Sequence, residues 1–137
     1  MRKKVFVDTN VFIYAFDIRC AEKRIAANRV ISELGKKKSI VISTQILQEF
    51  YSVFTKKRKA EPFIAEQITK DFLQFEVTTT EPKDVFEAIR ISRENKIAFW
   101  DALLFAAAVK TKCSELLTED LNAGQVIQGV KVVNPFA

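Results

Sequence analysis

The segment Lys4-Val5-Phe6-Val7-Asp8-Thr9-Asn10-Val11 runs three apolar, strand-prone residues straight into an acid and a polar turn. Val5, Phe6 and Val7 do not alternate with polar residues, so this strand is expected to be buried on both faces. Similar runs occur at Ser39-Ile40-Val41-Ile42, Phe75-Glu76-Val77-Thr78 (the weakest), Glu115-Leu116-Leu117-Thr118 and Val130-Lys131-Val132-Val133. Helical periodicity fills most of the space between them. It predicts helices over Val11 to Phe16, Ala21 to Leu34 with Gly35 as a C-terminal glycine, Thr44 to Lys57, Pro62 to Phe72, Pro82 to Asn95 and Phe99 to Lys112. Strands alternating with helices imply an α/β fold, with a parallel sheet covered on both faces. Crossovers are then right-handed, and ligands sit beyond the C-terminal strand ends. No repeat or linker divides the chain, so residues 1–137 are read as a single domain.

Composition narrows the chemistry. Hydrophobic residues make up 48% and charged residues 28% of 137 residues, the balance of a soluble globular chain. There is no histidine, which excludes imidazole acid–base catalysis and His-ligated zinc. Cys20 and Cys113 stand far apart without a CxxC spacing, so a thiol zinc site or a disulfide framework is not expected, and a reducing cytoplasm is. Asp8-Thr9-Asn10-Val11 comes after the first strand, where a dinucleotide or P-loop protein would carry glycines. The nearly apolar run from Ala98 to Val109 is shorter than the roughly 20 residues a membrane span needs. Met1-Arg2-Lys3-Lys4 is basic, but Asp8 and Asn10 interrupt the apolar stretch next to it, so no targeting signal is read. The net charge is +5, with clusters at Arg2-Lys3-Lys4, Lys36-Lys37-Lys38 and Lys56-Lys57-Arg58-Lys59. Such clusters suit phosphate backbones, and equally suit solvated helix ends.

Four acids stand where the apolar pattern wants none. Asp8 ends the first strand, as a helix N-cap or a ligand. Asp101 is the one acid in the run from Ala98 to Val109, so it either caps that helix or faces a cation. Glu49 borders the apolar arc of Ile46, Phe50 and Val53, where a surface pair with lysines is the alternative. Asp120 comes after the fourth strand and also reads as a turn residue. Asp17 and Glu119 have more polar neighbours and are read as solvated. Strand ends and the helices after them can bring all four of the first group to one sheet edge. Carboxylates so gathered need a counter-charge. Mg²⁺ or Mn²⁺ with oxygen ligands supplies it, and such an ion acidifies a water for phosphodiester hydrolysis.

These residues resemble the PIN-domain family, in particular its VapC-type toxins. Val5-Phe6-Val7-Asp8-Thr9-Asn10-Val11 is similar to that family's first motif, Ser43-Thr44-Gln45-Ile46-Leu47-Gln48-Glu49-Phe50 to its second, Phe99-Trp100-Asp101-Ala102-Leu103 to its third and Leu117-Thr118-Glu119-Asp120-Leu121 to its fourth. Gly129 to Phe136 looks like endings found in this branch. The resemblance implies a three-layer α/β/α sandwich with four to five central parallel strands. It implies a Mg²⁺-dependent endoribonuclease, with Mn²⁺ as a substitute, that leaves a 5′-phosphate and a 3′-hydroxyl. Asp8, Glu49, Asp101 and Asp120 would hold the metal and carry catalysis, supported by Asn10 and Thr118. The partners implied are an RNA substrate, a cognate antitoxin and a second copy of the chain, in the cytoplasm and away from membranes. Phe12, Tyr14, Phe16, Phe50 and Tyr51 are candidate antitoxin contacts, with the core as their other reading. The alternatives are an RNA-processing nuclease with no toxin role and an inactive binding module on the same fold. A phosphoacceptor receiver is disfavoured because only one acid stands directly after the first strand.

Overall fold

The computed structural model describes residues 3–137; Met1 and Arg2, with the start of the first basic cluster, lie outside the described residues. In chain order the elements are β1 (Val5–Val7), α1 (Thr9–Ala15), α2 (Ala21–Lys36), β2 (Ile40–Ser43), α3 (Thr44–Lys56) and α4 (Pro62–Asp71). A 3₁₀ turn (Phe72–Gln74) leads to β3 (Glu76–Thr78), α5 (Pro82–Asn95), α6 (Phe99–Lys110), β4 (Glu115–Leu117), β5 (Val126–Ile127) and β6 (Val130–Val133).

The sheet has the order β3-β2-β1-β4-β6-β5 and is parallel except for the β5–β6 pair. It therefore has six strands, against the four to five expected. Val126–Ile127 is too short to announce itself by periodicity. It pairs with β6 across Gln128-Gly129, whose φ values of 53° and 80° suit a tight hairpin turn.

The chain steps from β1 to β2 to β3 in one direction, then returns past β1 to β4. Right-handed crossovers then place α1 to α4 on one face and α5 and α6 on the other. The groups of contacting helices agree: α1 packs on α2 and α3, α3 on α4, and α5 on α6. Residues Ala102 to Ala108 of α6 are all buried, because α6 lies between the sheet and α5. That explains its lack of a polar face.

Some boundaries move for physical reasons. Asp8 caps α1 directly, so the helix starts at Thr9 rather than Val11. Gly35 lies inside α2, and the left-handed residue after the helix is Lys38, at φ 53°. Phe12 and Phe50 are core residues, not surface contacts. Both ring centroids lie within 5 Å of that of Phe72, at 4.7 and 4.8 Å. Phe16 and Tyr51 remain exposed, at 42% and 40%. Cys20 and Cys113 are free thiols. Among the described residues, no helix is long and apolar enough to cross a membrane.

Candidate active site

The crossover direction reverses between β1 and β4, and a crevice opens there at the C-terminal strand ends. Val7 pairs with Leu117 in register, and the Asp8 N–H donates to the Leu117 carbonyl at 2.9 Å. Asp8 and Thr118 are thereby set side by side, each just past its strand. The Thr118 hydroxyl donates to Asp8 Oδ2 at 2.8 Å, while Asp8 Oδ1 accepts from the Thr9 N–H at 2.7 Å. Asp8 thus caps the helix with one oxygen and binds Thr118 with the other.

Asn10, in the first turn of α1, joins the two strand ends. Its Nδ2 reaches Thr118 Oγ1 at 3.1 Å, Asp120 Oδ2 at 3.0 Å and, more distantly, Asp8 Oδ2 at 3.4 Å. Its Oδ1 accepts from the Glu119 N–H at 3.3 Å, and the Asp120 N–H donates to Thr118 Oγ1 at 3.1 Å. Glu49, further along α3, accepts from the Thr9 hydroxyl at 2.9 Å. Thr9, which also lines the cavity, is not singled out in the sequence; the signal for it is a hydroxyl directly after the strand-ending acid.

Asp101 lies in the first turn of α6 but does not cap it. The N-cap is Ala98, and that helix end has no side-chain cap bond. Its carboxylate faces the same cavity as the others. A space of about 340 Å³ is lined by Asp8, Asn10, Glu49, Asp101 and Asp120 together. All four acids singled out in the sequence therefore line this one cavity.

Two acids read as solvated are not. Glu119 also lines the cavity, where it accepts from Tyr14 Oη at 3.0 Å and pairs with the Lys23 ammonium. Asp17 is buried, paired with Arg19 Nε at 3.2 Å and an Arg58 nitrogen at 3.4 Å. The Arg19 backbone N–H, more than any other neighbour, holds its carboxyl below the usual range.

The electrostatics are those of a site short of positive charge. Burial pushes the Asp8 carboxyl up to about 6; the bonds from Thr118 and Thr9 oppose this, and the charges of Glu49 and Asp120 add to it. Asp101 is raised too, by partial burial and then by Asp120. The donor set is wholly oxygen, without nitrogen or sulfur, which suits a hard divalent ion. Among the described residues, no three acidic side chains converge tightly enough to grip one ion by themselves.

The PIN domain family model matches residues 5–126, and the chain belongs to that family. Among solved structures it resembles a toxin–antitoxin complex from Klebsiella pneumoniae, with TM-score 0.72 and 20% identity over 96% of this chain and 98% of that one. It is also similar to VapBC2 from Rickettsia felis bound to a promoter DNA fragment, with TM-score 0.66 and 18% identity over 93% and 96% of the two chains. A third is VapC20 from Mycobacterium tuberculosis, described as a sarcin–ricin loop-cleaving toxin, with TM-score 0.67 and 19% identity over 82% and 87%. At these identities the likeness is one of fold. No curated protein matches by sequence.

Proposed function

We propose that this PIN domain is a divalent-metal-dependent endoribonuclease, the toxin of a type II toxin–antitoxin pair. One observation carries the reading: Asp8, Glu49, Asp101 and Asp120, drawn from four separate elements, line one cavity at the sheet's switch point. These four would hold Mg²⁺, or Mn²⁺ in its place, in part through the waters such an ion keeps. When bound, the ion supplies an acidified water and charge compensation at the cleaved phosphate.

The chain's own residues orient the carboxylates. Thr118 fixes the inner oxygen of Asp8, Asn10 ties Asp120 to that pair, and Thr9 holds Glu49. Such supporting bonds set ligand direction, and losing one typically costs roughly 10- to 100-fold in metal affinity or activity. With no histidine in the chain, no imidazole is available for the 2′-hydroxyl route of metal-free ribonucleases. The net charge of +5 favours a polyanionic substrate. Toxin–antitoxin complexes of the same fold support the toxin role and a cognate antitoxin, and the family makes a homodimer the expected assembly.

The test is cleavage of single-stranded RNA by purified protein. Activity should vanish in EDTA and return with Mg²⁺ or Mn²⁺, leaving 5′-phosphate ends. Undiminished protein-dependent cleavage after rigorous metal removal would sink the mechanism.

A further inference from the structure

The cavity holds more than acids. Lys57 and Arg58, just past the end of α3, and Trp100, one residue before Asp101, line it as well. Five acids against two bases make the space hostile to a phosphate backbone, so the position of the bases matters.

Arg58 is anchored yet unspent. Asp17 meets one of its terminal nitrogens at 3.4 Å, longer than the short contacts of a guanidinium–carboxylate fork. The guanidinium carbon stands 5.9 Å from the Tyr14 ring centroid. Its Nε is buried without a hydrogen-bond partner. Of the five N–H donors of a guanidinium the buried Nε–H is out of reach, but the terminal N–H groups that Asp17 does not use remain for a ligand in the cavity. Glu119, the acid on the Tyr14 side, is already matched by Lys23 and Tyr14. Arg58 is therefore not consumed in neutralising it.

Trp100 is 64% exposed, and its ring meets Phe99 edge-on at 5.3 Å. Isolated exposed apolar residues are common on surfaces. Trp100 differs in lining the cavity next to Asp101, where a large aromatic face is available to an unpaired base.

Resting on the nuclease reading, we propose that Arg58 and Trp100 form the substrate grip for a single-stranded RNA segment. Arg58 takes a phosphate beside the one that is cut, and Trp100 stacks an unpaired base. Both are positioning and specificity residues, and Asp17 and Tyr14 hold Arg58 in place.

Trp100 is the chain's one tryptophan, so its fluorescence reports the contact directly. Binding of a short fluorescein-labelled single-stranded RNA is followed by anisotropy in Ca²⁺ buffer, with cleavage in Mg²⁺ scored in parallel on gels. Titration with the unlabelled RNA should quench the tryptophan. Trp100→Ala should weaken binding about fivefold or more, with Trp100→Phe restoring most of it. Arg58→Gln should weaken binding about tenfold and lower the salt-dependence slope by about 1, with Arg58→Lys recovering the slope but not the full affinity. The same RNA as a duplex should lose its dependence on Trp100. Unchanged tryptophan emission at saturation, or binding by folded Trp100→Ala and Arg58→Gln equal to wild type, overturns the grip even if the protein cleaves RNA. Binding with these dependences but no cleavage under any divalent ion keeps the grip and overturns the nuclease reading.

Discussion

The Thr118 hydroxyl is fully buried and donates to Asp8 Oδ2 at 2.8 Å, joining residues 110 positions apart. The same oxygen accepts from the Asn10 amide and the Asp120 N–H, so all its hydrogen-bonding capacity is used. Thr118→Val keeps the shape and removes the hydroxyl. It leaves a buried carboxylate short of a donor, at a cost of about 1–3 kcal/mol. The variant should melt at a lower temperature and show a weakened, more alkaline-shifted metal dependence, while Thr118→Ser stays near wild type. Equal metal titrations for Val and wild type would remove Thr118 from the site.

Asp8 predicts a pH dependence with a definite sign. Its carboxyl lies near 6 in the fold, against 3.8 ordinarily, so between those values the native state holds the proton more tightly than the unfolded chain. Stability of the metal-free protein from this group is greatest below about pH 4 and is lost as pH rises through 6, by about 3 kcal/mol. Asp8→Asn abolishes that titration. The difference in melting between the two metal-free proteins should therefore move in favour of the variant across this window, and saturating Mg²⁺ should remove the effect. Parallel curves from pH 4 to 7 would contradict the assignment. Cleavage should fall as pH drops through about 6, because protons then compete with the ion for Asp8.

The four acids are legible because each breaks an apolar or strand-ending pattern that neighbouring residues define. Asp101 among Ala102, Leu103 and Leu104 needs no structure to look anomalous. Glu119 and Asp17 are misread as solvated for the opposite reason. Their local neighbours are polar, and the partners that make them structural are not visible as a pattern: Lys23 and Tyr14 for Glu119, and for Asp17 the adjacent Arg19 together with the distant Arg58. Trp100 fits its apolar run so well that nothing marks it as exposed. The helical and strand segments emerge from periodicity, but the two-residue β5 gives no period to detect. It forms because the turn at Gln128-Gly129 returns the chain onto β6.

Asp101 separates a ligand from a bystander. Its carboxyl is raised by partial burial and by Asp120, and Ala98 rather than Asp101 occupies the cap position. Asp101→Asn removes one negative charge from the cavity without removing a cap. Metal-free, the variant should melt at or above the wild-type temperature. With Mg²⁺ the wild type should gain stability and the variant gain less, and cleavage should be abolished. Retained activity, together with the same change in melting temperature with and without Mg²⁺, would reduce Asp101 to a helix residue.

The final prediction concerns control of the activity. A free ribonuclease would damage its own cell, so the proposed role demands an inhibitor. The cavity offers a physical means, because its acids attract cations and an antitoxin Arg could enter in competition with the metal. A guanidinium matches paired carboxylates in geometry and keeps its charge at any ordinary pH. Exposed Phe16 and Tyr51 offer an apolar surface for the rest of that partner, whereas Phe12 and Phe50 are committed to the core. Expression of the chain alone should arrest growth, and co-expression of the antitoxin encoded beside it should relieve the arrest. Asp8→Ala should be harmless without antitoxin. The substitution sacrifices a helix cap, worth about 1 kcal/mol, but also removes a buried charge that the metal-free fold bears at a cost. The protein should therefore accumulate, and immunoblotting establishes that levels match. Equal growth arrest by Asp8→Ala at matched level would mean that the toxicity does not arise from metal-dependent cleavage.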